Sequence, residues 1–167
     1  SESALSPFAG VTFEAIDGVN LYASYSDIFL PQHETGTDYA PLGAAKGESM
    51  EIGLKAQTAD GALLGTVALF RAEQSNLAES AGLDPATGQT LYNGIDVVSE
   101  GVEFEITGRL AEGLLLQAGL THLSLEDGND GKVRTYVPRT TADIALRWQP
   151  TTRLSLGAVL GWQDDVY

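Results

Sequence analysis

Apolar residues occupy every second position along several long segments of this chain, a period that only an extended strand can turn into a sorted surface. In Val19-Asn20-Leu21-Tyr22-Ala23-Ser24-Tyr25-Ser26, the residues Val19, Leu21, Ala23 and Tyr25 fall on one side and Asn20, Tyr22, Ser24 and Ser26 on the other, because successive strand side chains point to opposite faces. The same sorting sets Met50, Ile52, Leu54 and Ala56 against Glu51, Gly53, Lys55 and Gln57, and Val102, Phe104 and Ile106 against Glu103, Glu105 and Thr107. Ala142, Ile144, Leu146 and Trp148 oppose Thr141, Asp143, Ala145 and Arg147. One face suits hydrocarbon and the other water.

Carried along the chain, the pattern predicts strands over 7–16, 19–29, 49–58, 62–74, 97–109, 114–125, 139–148 and 153–163. They fall into four hairpins. Within each hairpin the connection is short and rich in turn formers: Asp17-Gly18, Ala59-Asp60-Gly61, Ala111-Glu112-Gly113 and Gln149-Pro150-Thr151-Thr152. Between hairpins the connections are long and polar, from Leu30 to Glu48, Ser75 to Asp96 and Glu126 to Pro138. Strands of about 10–13 residues exceed the roughly 5–6 of soluble sheets and match the roughly 9–11 that cross a bilayer at a tilt. Short turns on one rim and long loops on the other predict an all-β fold, an antiparallel up-and-down transmembrane β-barrel or part of one, with about eight long strands in four hairpins.

Composition narrows the alternatives. The chain has 167 residues and is 43% apolar, yet no stretch approaches the roughly 20 continuous apolar residues of a membrane-crossing helix. Twenty-three acidic residues against nine Lys plus Arg give a net charge of −14, which repels phosphate and argues against nucleic acid as a partner. Without cysteine there is neither a disulfide framework nor a thiolate metal site. The chain opens at Ser1-Glu2-Ser3 without a charged start followed by an apolar run, so any secretion signal is expected to have been removed or to lie outside this sequence. Tyr25, Phe29 and Trp162 lie toward the long-loop side and Trp148 beside a short turn, a placement that fits two interfacial girdles and equally a soluble sandwich core. Strand length favours the girdles.

Several segments, in order, resemble the outer-membrane receptors that take up ferric siderophores with energy from the TonB system. They are Asp17 through Phe29 with Pro31-Gln32; Glu51-Ile52-Gly53-Leu54-Lys55; Ala68-Leu69-Phe70-Arg71 with Gln74, Asn76 and Leu77; Gly101-Val102-Glu103-Phe104-Glu105; Gln117 through His122; Pro138-Arg139; and Gly161-Trp162-Gln163. The resemblance implies a single β-barrel segment over residues 1–167 from the later middle of a barrel of about 22 strands, without the plug domain through which TonB acts and without the closing strands. It implies a chain that does not transport alone. Eight strands cut from a wide barrel leave two unpaired edges, so the segment is expected, in outer-membrane lipid or detergent, to curl into a small closed barrel, to self-associate with another copy through its sheet edges, or to remain a sheet stabilised by detergent or partner chains.

Catalytic chemistry finds little support. The histidines are His33 and His122, no serine sits in a nucleophile elbow, and no glycine loop is shaped for phosphate; no enzyme, cofactor or resident metal is expected. Glu103 and Glu105 share a face and read as wall positions of a wet lumen rather than paired acids. Asp127-Gly128-Asn129-Asp130-Gly131 lacks the spacing and late glutamate of an EF-hand and reads as a turn. The resemblance implies a ferric siderophore held at the outer mouth, and His33, Tyr39, Tyr92, Tyr136 and Arg139, in or beside the long loops, are the candidates to contact it by stacking and ion pairing. The competing reading is a small eight-stranded β-barrel, natural or engineered, with a structural or small-ligand-binding role. In a soluble barrel of the lipocalin kind, Val102, Phe104 and Ile106 would turn inward.

Overall fold

A computed structural model describes residues 5–127 and 131–166. Eight strands follow one another: β1 (Phe8–Ile16), β2 (Val19–Leu30), β3 (Ala45–Gln57), β4 (Leu63–Leu83), β5 (Thr90–Ala111), β6 (Leu114–Glu126), β7 (Thr140–Thr151) and β8 (Leu154–Gln163). Each pairs antiparallel with its sequence neighbours in a single sheet of order β1 to β8. All four expected hairpins are present, and the turns close as their residues require. Gly18, Gly61 and Gly113 take φ of 76°, 65° and 70°, a region that favours glycine.

The register joins the alternation of single strands into two continuous surfaces. Phe13, Leu21, Leu54, Val67, Phe104, Leu120, Ala142 and Trp162 form one unbroken row across all eight strands. A parallel row on the same face runs through Val19, Ala56, Gly65, Ile106, Ala118, Ile144 and Leu160. Rows of the other face carry Glu14, Asn20, Lys55, Thr66, Glu105, Gly119 and Asp143, and Thr12, Tyr22, Gly53, Ala68, Glu103, Thr121 and Thr141. Among the described residues, no second layer covers the apolar face. Phe104, Leu146 and Leu156 are 43%, 38% and 49% exposed, and the buried apolar residues among those described are Ala45, Ala68, Leu77 and Val97. The soluble-barrel reading is not met among the described residues, because the sheet does not close and encloses no interior into which Val102, Phe104 and Ile106 could turn.

Glycines on the polar face let aromatic rings lie flat across the neighbouring strand. A Cβ on Gly53 would stand 2.5 Å from the Tyr22 ring, and one on Gly101 would stand 2.6 Å from that of Phe70. Such rings cover backbone that a glycine leaves bare.

Two expectations change. The span from Ser75 to Asp96 is not a loop: β4 and β5 continue beyond the sheet as a paired ribbon that turns only at 84–89. Register shifts between Gln74 and Leu77 and between Ser80 and Gly82 move side chains from one face to the other, which erases the period by which a strand is read from sequence. The eight strands also do not curl into a small closed barrel, since the sheet order ends at β1 and β8 without a pairing between them. Closure at this strand number makes an interior narrow enough to be filled by side chains, and here it would crowd Glu51, Glu103, Glu105 and Asp143 together.

Candidate functional site

At the long-loop rim, the protruding β4–β5 ribbon is the post on which the neighbouring segments hang. Ala45, Leu77 and Val97 are buried together, with Ile95, Leu125 and Val133 packed against them. This small cluster joins the start of β3, the ribbon, the end of β6 and the segment preceding β7.

Two amides fasten the connection between β2 and β3. Gln32 donates from Nε2 to the carbonyls of Gly43 and Asn76, at 2.9 and 2.7 Å, and its Oε1 accepts the Ala78 N–H at 2.8 Å. Asn76 in turn donates from Nδ2 to the carbonyls of Leu42 and Ala44, at 2.8 and 3.3 Å. Its φ of 58° places it in the left-handed region that asparagine tolerates better than most residues. Farther out, the Tyr92 N–H donates to the Thr35 carbonyl at 3.0 Å, and the Thr37 hydroxyl lies 3.2 Å from Asn93 Oδ1.

Asp84, 4% exposed, organises the ribbon tip. Its carboxylate accepts from the Thr87 hydroxyl at 2.6 Å and the Ala86 N–H at 3.0 Å. These bonds, the Thr87 hydroxyl foremost and with a further one from Tyr39, hold its pKa below the usual carboxylate range. From the β6–β7 side, Arg134 donates from Nη2 to the Ala78 carbonyl at 2.9 Å and pairs through Nε with Glu79 at 3.4 Å. The Tyr136 hydroxyl reaches the same Glu79 oxygen at 3.3 Å.

The five candidate residues thus divide into groups. Tyr39 and Tyr92 are linked through Gly36, which bridges Tyr92 on the ribbon and accepts the Tyr39 N–H at its carbonyl at 2.9 Å. Tyr39 is 66% exposed and Tyr92 half-buried. Tyr136, 55% exposed, stands with Arg134 and Glu79. Arg139 sits lower, opposite Leu123. Its Nη2 donates to the Val133 carbonyl at 2.6 Å, while its Nη1 is shielded and has no hydrogen-bond partner. His33 is exposed, with its backbone N–H bonded to its neighbour Glu34 at 2.7 Å; it joins neither group.

Sequence reasoning passed over Gln32, Asn76, Asp84 and Arg134 as rim-building residues. The first two stand inside segments that carried the family resemblance, which was the available signal; nothing local marks the others.

Below the rim, the polar wall has no catalytic arrangement. The Tyr22 hydroxyl donates to Glu51, Lys55 Nζ lies 4.9 Å from the centre of the Tyr22 ring, and Glu103 and Glu105 are exposed wall residues. Among the described residues, no three His, Cys, Asp or Glu side chains converge as metal ligands. Gly128, Asn129 and Asp130 of the acidic turn lie outside the described residues. At its ends, the Asp127 N–H donates to the Gly131 carbonyl at 2.8 Å, and the Gly131 N–H to Asp127 Oδ1 at 2.7 Å.

On the apolar face, Tyr25 and Trp162 stand toward the long-loop rim and Trp148 toward the short turns, the two levels expected of interfacial girdles.

Comparison with known proteins agrees with this geometry. The family model of TonB dependent receptor-like β-barrels matches residues 1–167. The ferric-pyoverdine BN7/BN8 receptor of Pseudomonas putida is 32% identical over 165 residues, covering 96% of this chain and 20% of the receptor. The ferrioxamine B receptor of Salmonella typhimurium is 30% identical over 152 residues, covering 87% of this chain and 21% of the receptor. The crystal structure of the ferripyoverdine receptor of the outer membrane of Pseudomonas aeruginosa bound to ferripyoverdine superposes with a TM-score of 0.75 at 31% identity, covering 95% of this chain and 22% of that one. The chain therefore spans about a fifth of the length of the curated relatives it matches.

Proposed function

The chain belongs to the TonB-dependent receptor β-barrel family, and from that premise we propose that it forms part of the wall and outer mouth of an outer-membrane receptor that binds and imports ferric siderophores. In this reading β1 and β8 pair with further strands of a longer barrel. Coupling to TonB runs through a plug domain outside the sequence, so this segment alone transports nothing, and it has no enzymatic role.

The observation that carries the reading is the pair of continuous faces. A sheet with an uncovered apolar surface across eight strands needs lipid on that side, and the opposite acidic wall with its lone Lys55 in the middle rows needs water or a polar filling. Above it, in support of this reading, Tyr92 stands on the protruding ribbon, Tyr39 on the β2–β3 connection that Gly36 ties to it, and Tyr136 and Arg139 on the segment leading into β7. Aromatic faces and a nearby guanidinium charge suit a chelate that is flat in parts and anionic in others. His33 serves this role least, standing apart from the other four.

The test is binding and uptake by the complete receptor containing this segment, using ferripyoverdine and ferrioxamine B as labelled chelates. Tyr92→Ala or Arg139→Ala should each weaken binding by about 1 kcal/mol or more, roughly fivefold in Kd, while leaving the receptor folded and in the outer membrane. Wild-type receptor that binds and takes up no ferric chelate in energised cells would overturn the proposal.

A further inference from the structure

Both backbone polar groups of Ala78 are held by side chains from distant parts of the chain. The N–H donates to Gln32 Oε1 at 2.8 Å, across 46 residues, and the carbonyl accepts Nη2 of Arg134 at 2.9 Å, across 56. On a strand the N–H and carbonyl of one residue point to the same side, so the two tethers arrive together on one edge of the ribbon. They come from different flanks: Gln32 lies between β2 and β3, and Arg134 lies between β6 and β7. The neighbours of Ala78 strengthen the junction. Leu77 is buried in one cluster with Ala45, the first residue of β3, and Val133 packs against that cluster from the segment preceding β7. Glu79 pairs with Arg134 Nε at 3.4 Å and accepts the Tyr136 hydroxyl at 3.3 Å.

We propose that Leu77, Ala78 and Glu79 form a coupling junction through which the β2–β3 connection and the segment preceding β7 open and close as one unit, with Gln32 and Arg134 as positioning residues for a chelate that touches both. The proposal rests on the reading of this rim as the mouth of a siderophore receptor. It adds how the two candidate groups, Tyr39 with Tyr92 and Tyr136 with Arg139, act together.

The coupling follows from what each tether protects. Loss of the Arg134 bond turns the Ala78 carbonyl to water, which wets the same edge on which the Ala78 N–H meets Gln32, so that water then competes for the second tether as well. Val133 offers a parallel route, since its withdrawal uncovers the cluster that holds Ala45. The backbone of Arg134 points the same way. Its φ of 50° is a conformation that a long side chain keeps only where the surroundings fix it. A chelate held at Tyr136 and Arg139 therefore keeps residues 31–44 ordered before Tyr39 and Tyr92 engage, and the second contact costs less ordering than it would alone.

The experiment is amide hydrogen exchange in the complete receptor in lipid vesicles, first without any chelate. Arg134→Asn removes the guanidinium, and asparagine accepts the left-handed backbone. Gly36 and Leu42, whose amides are bonded within the β2–β3 connection, should then exchange about fivefold faster or more. Gln32→Ala should in turn quicken Val137, whose amide donates to the Arg134 carbonyl at 2.9 Å. Glu79→Gln breaks the ion pair but spares the bond from Arg134 to Ala78, and should leave Gly36 and Leu42 near their wild-type rates. Faster exchange confined to the connection that carries the substitution, or an equal rise along β5 and β6, overturns the inference. With ferripyoverdine added, Tyr39→Ala and Tyr136→Ala should weaken binding non-additively in the otherwise wild-type receptor and additively in the Arg134→Asn background; additivity in both also overturns it. A receptor that binds no chelate counts against the siderophore reading alone, because the exchange rates decide the coupling without one.

Discussion

Gln32 shows how much of the rim rests on single polar side chains. Its amide uses two donors and one acceptor to bridge the β2–β3 connection to β4, so removing it leaves Gly43, Asn76 and Ala78 with backbone groups to satisfy again from water. Gln32→Ala should ease local opening of residues 31–44 by about 1–3 kcal/mol. The amides of Gly36 and Leu42, which bond to the carbonyls of Ala40 and Glu34 at 2.8 and 3.0 Å, should then exchange faster in the complete receptor. Exchange along β2 and β3 should not change; if it rises equally, the tie is not local.

Asp84 works by charge as well as position. Because its folded-state pKa lies below the ordinary carboxylate value, its contribution to the ribbon tip is fully present above that ordinary value, about 3.9. The contribution is lost as pH falls through the lower folded-state value. The tip should therefore be insensitive between pH 7 and 5, and become open to pepsin nicking near Leu83 only in stronger acid. Asp84→Asn keeps only one acceptor oxygen where the carboxylate uses two, one for the Thr87 hydroxyl and one for the Ala86 N–H, and should be nicked more readily at all pH values where pepsin acts, with the acid dependence gone.

At the level of elements, glycine and aromatic residues pair across strands rather than along them. The Tyr22 ring lies where a Gly53 side chain would stand, and its hydroxyl is anchored on Glu51. Gly53→Val should destabilise the folded barrel by about 1–3 kcal/mol through overpacking, measured as a lower urea midpoint in lipid vesicles. In a Tyr22→Ala background the same valine meets open space and should be tolerated, so the two changes should be strongly non-additive. Additive costs would show that the ring and the glycine do not share that space.

The same scale explains what could be read from the chain. Within the lipid-crossing part of each strand, one face is apolar by necessity and the other is not, so β2, β3, β6 and β8 emerge from sequence within a few residues. Outside that layer both faces of the β4–β5 ribbon are wet or loop-covered. Bulges at Gln74–Leu77 and Ser80–Gly82 reset the faces, and the continuous strand reads as a polar loop. The rim residues are hidden for a related reason: Tyr39 and Tyr92 are loop aromatics in the sequence, and only the bridge from Gly36 to Tyr92 brings their backbones together. Nothing local announces that Arg134 crosses to Ala78, since 56 residues separate them.

For the whole molecule, stability has to come from outside the chain. A soluble domain of this length would bury most of its large apolar side chains between layers, yet here Ile52, Leu69 and Leu160 are 61%, 57% and 68% exposed on one continuous face. Lipid is then the second layer, and the cost of a charge should depend on which face receives it. Leu69→Lys puts an ammonium in the middle of the apolar band and should cost about 2–4 kcal/mol, read from folding titrations of the complete receptor in vesicles. Thr121→Lys puts the same group on the polar wall, where the Thr121 hydroxyl now lies 3.4 Å from Glu103, and should be close to neutral because it gains a carboxylate and keeps its water. Equal costs at the two positions would mean that both faces meet the same medium, which no barrel spanning a membrane can allow.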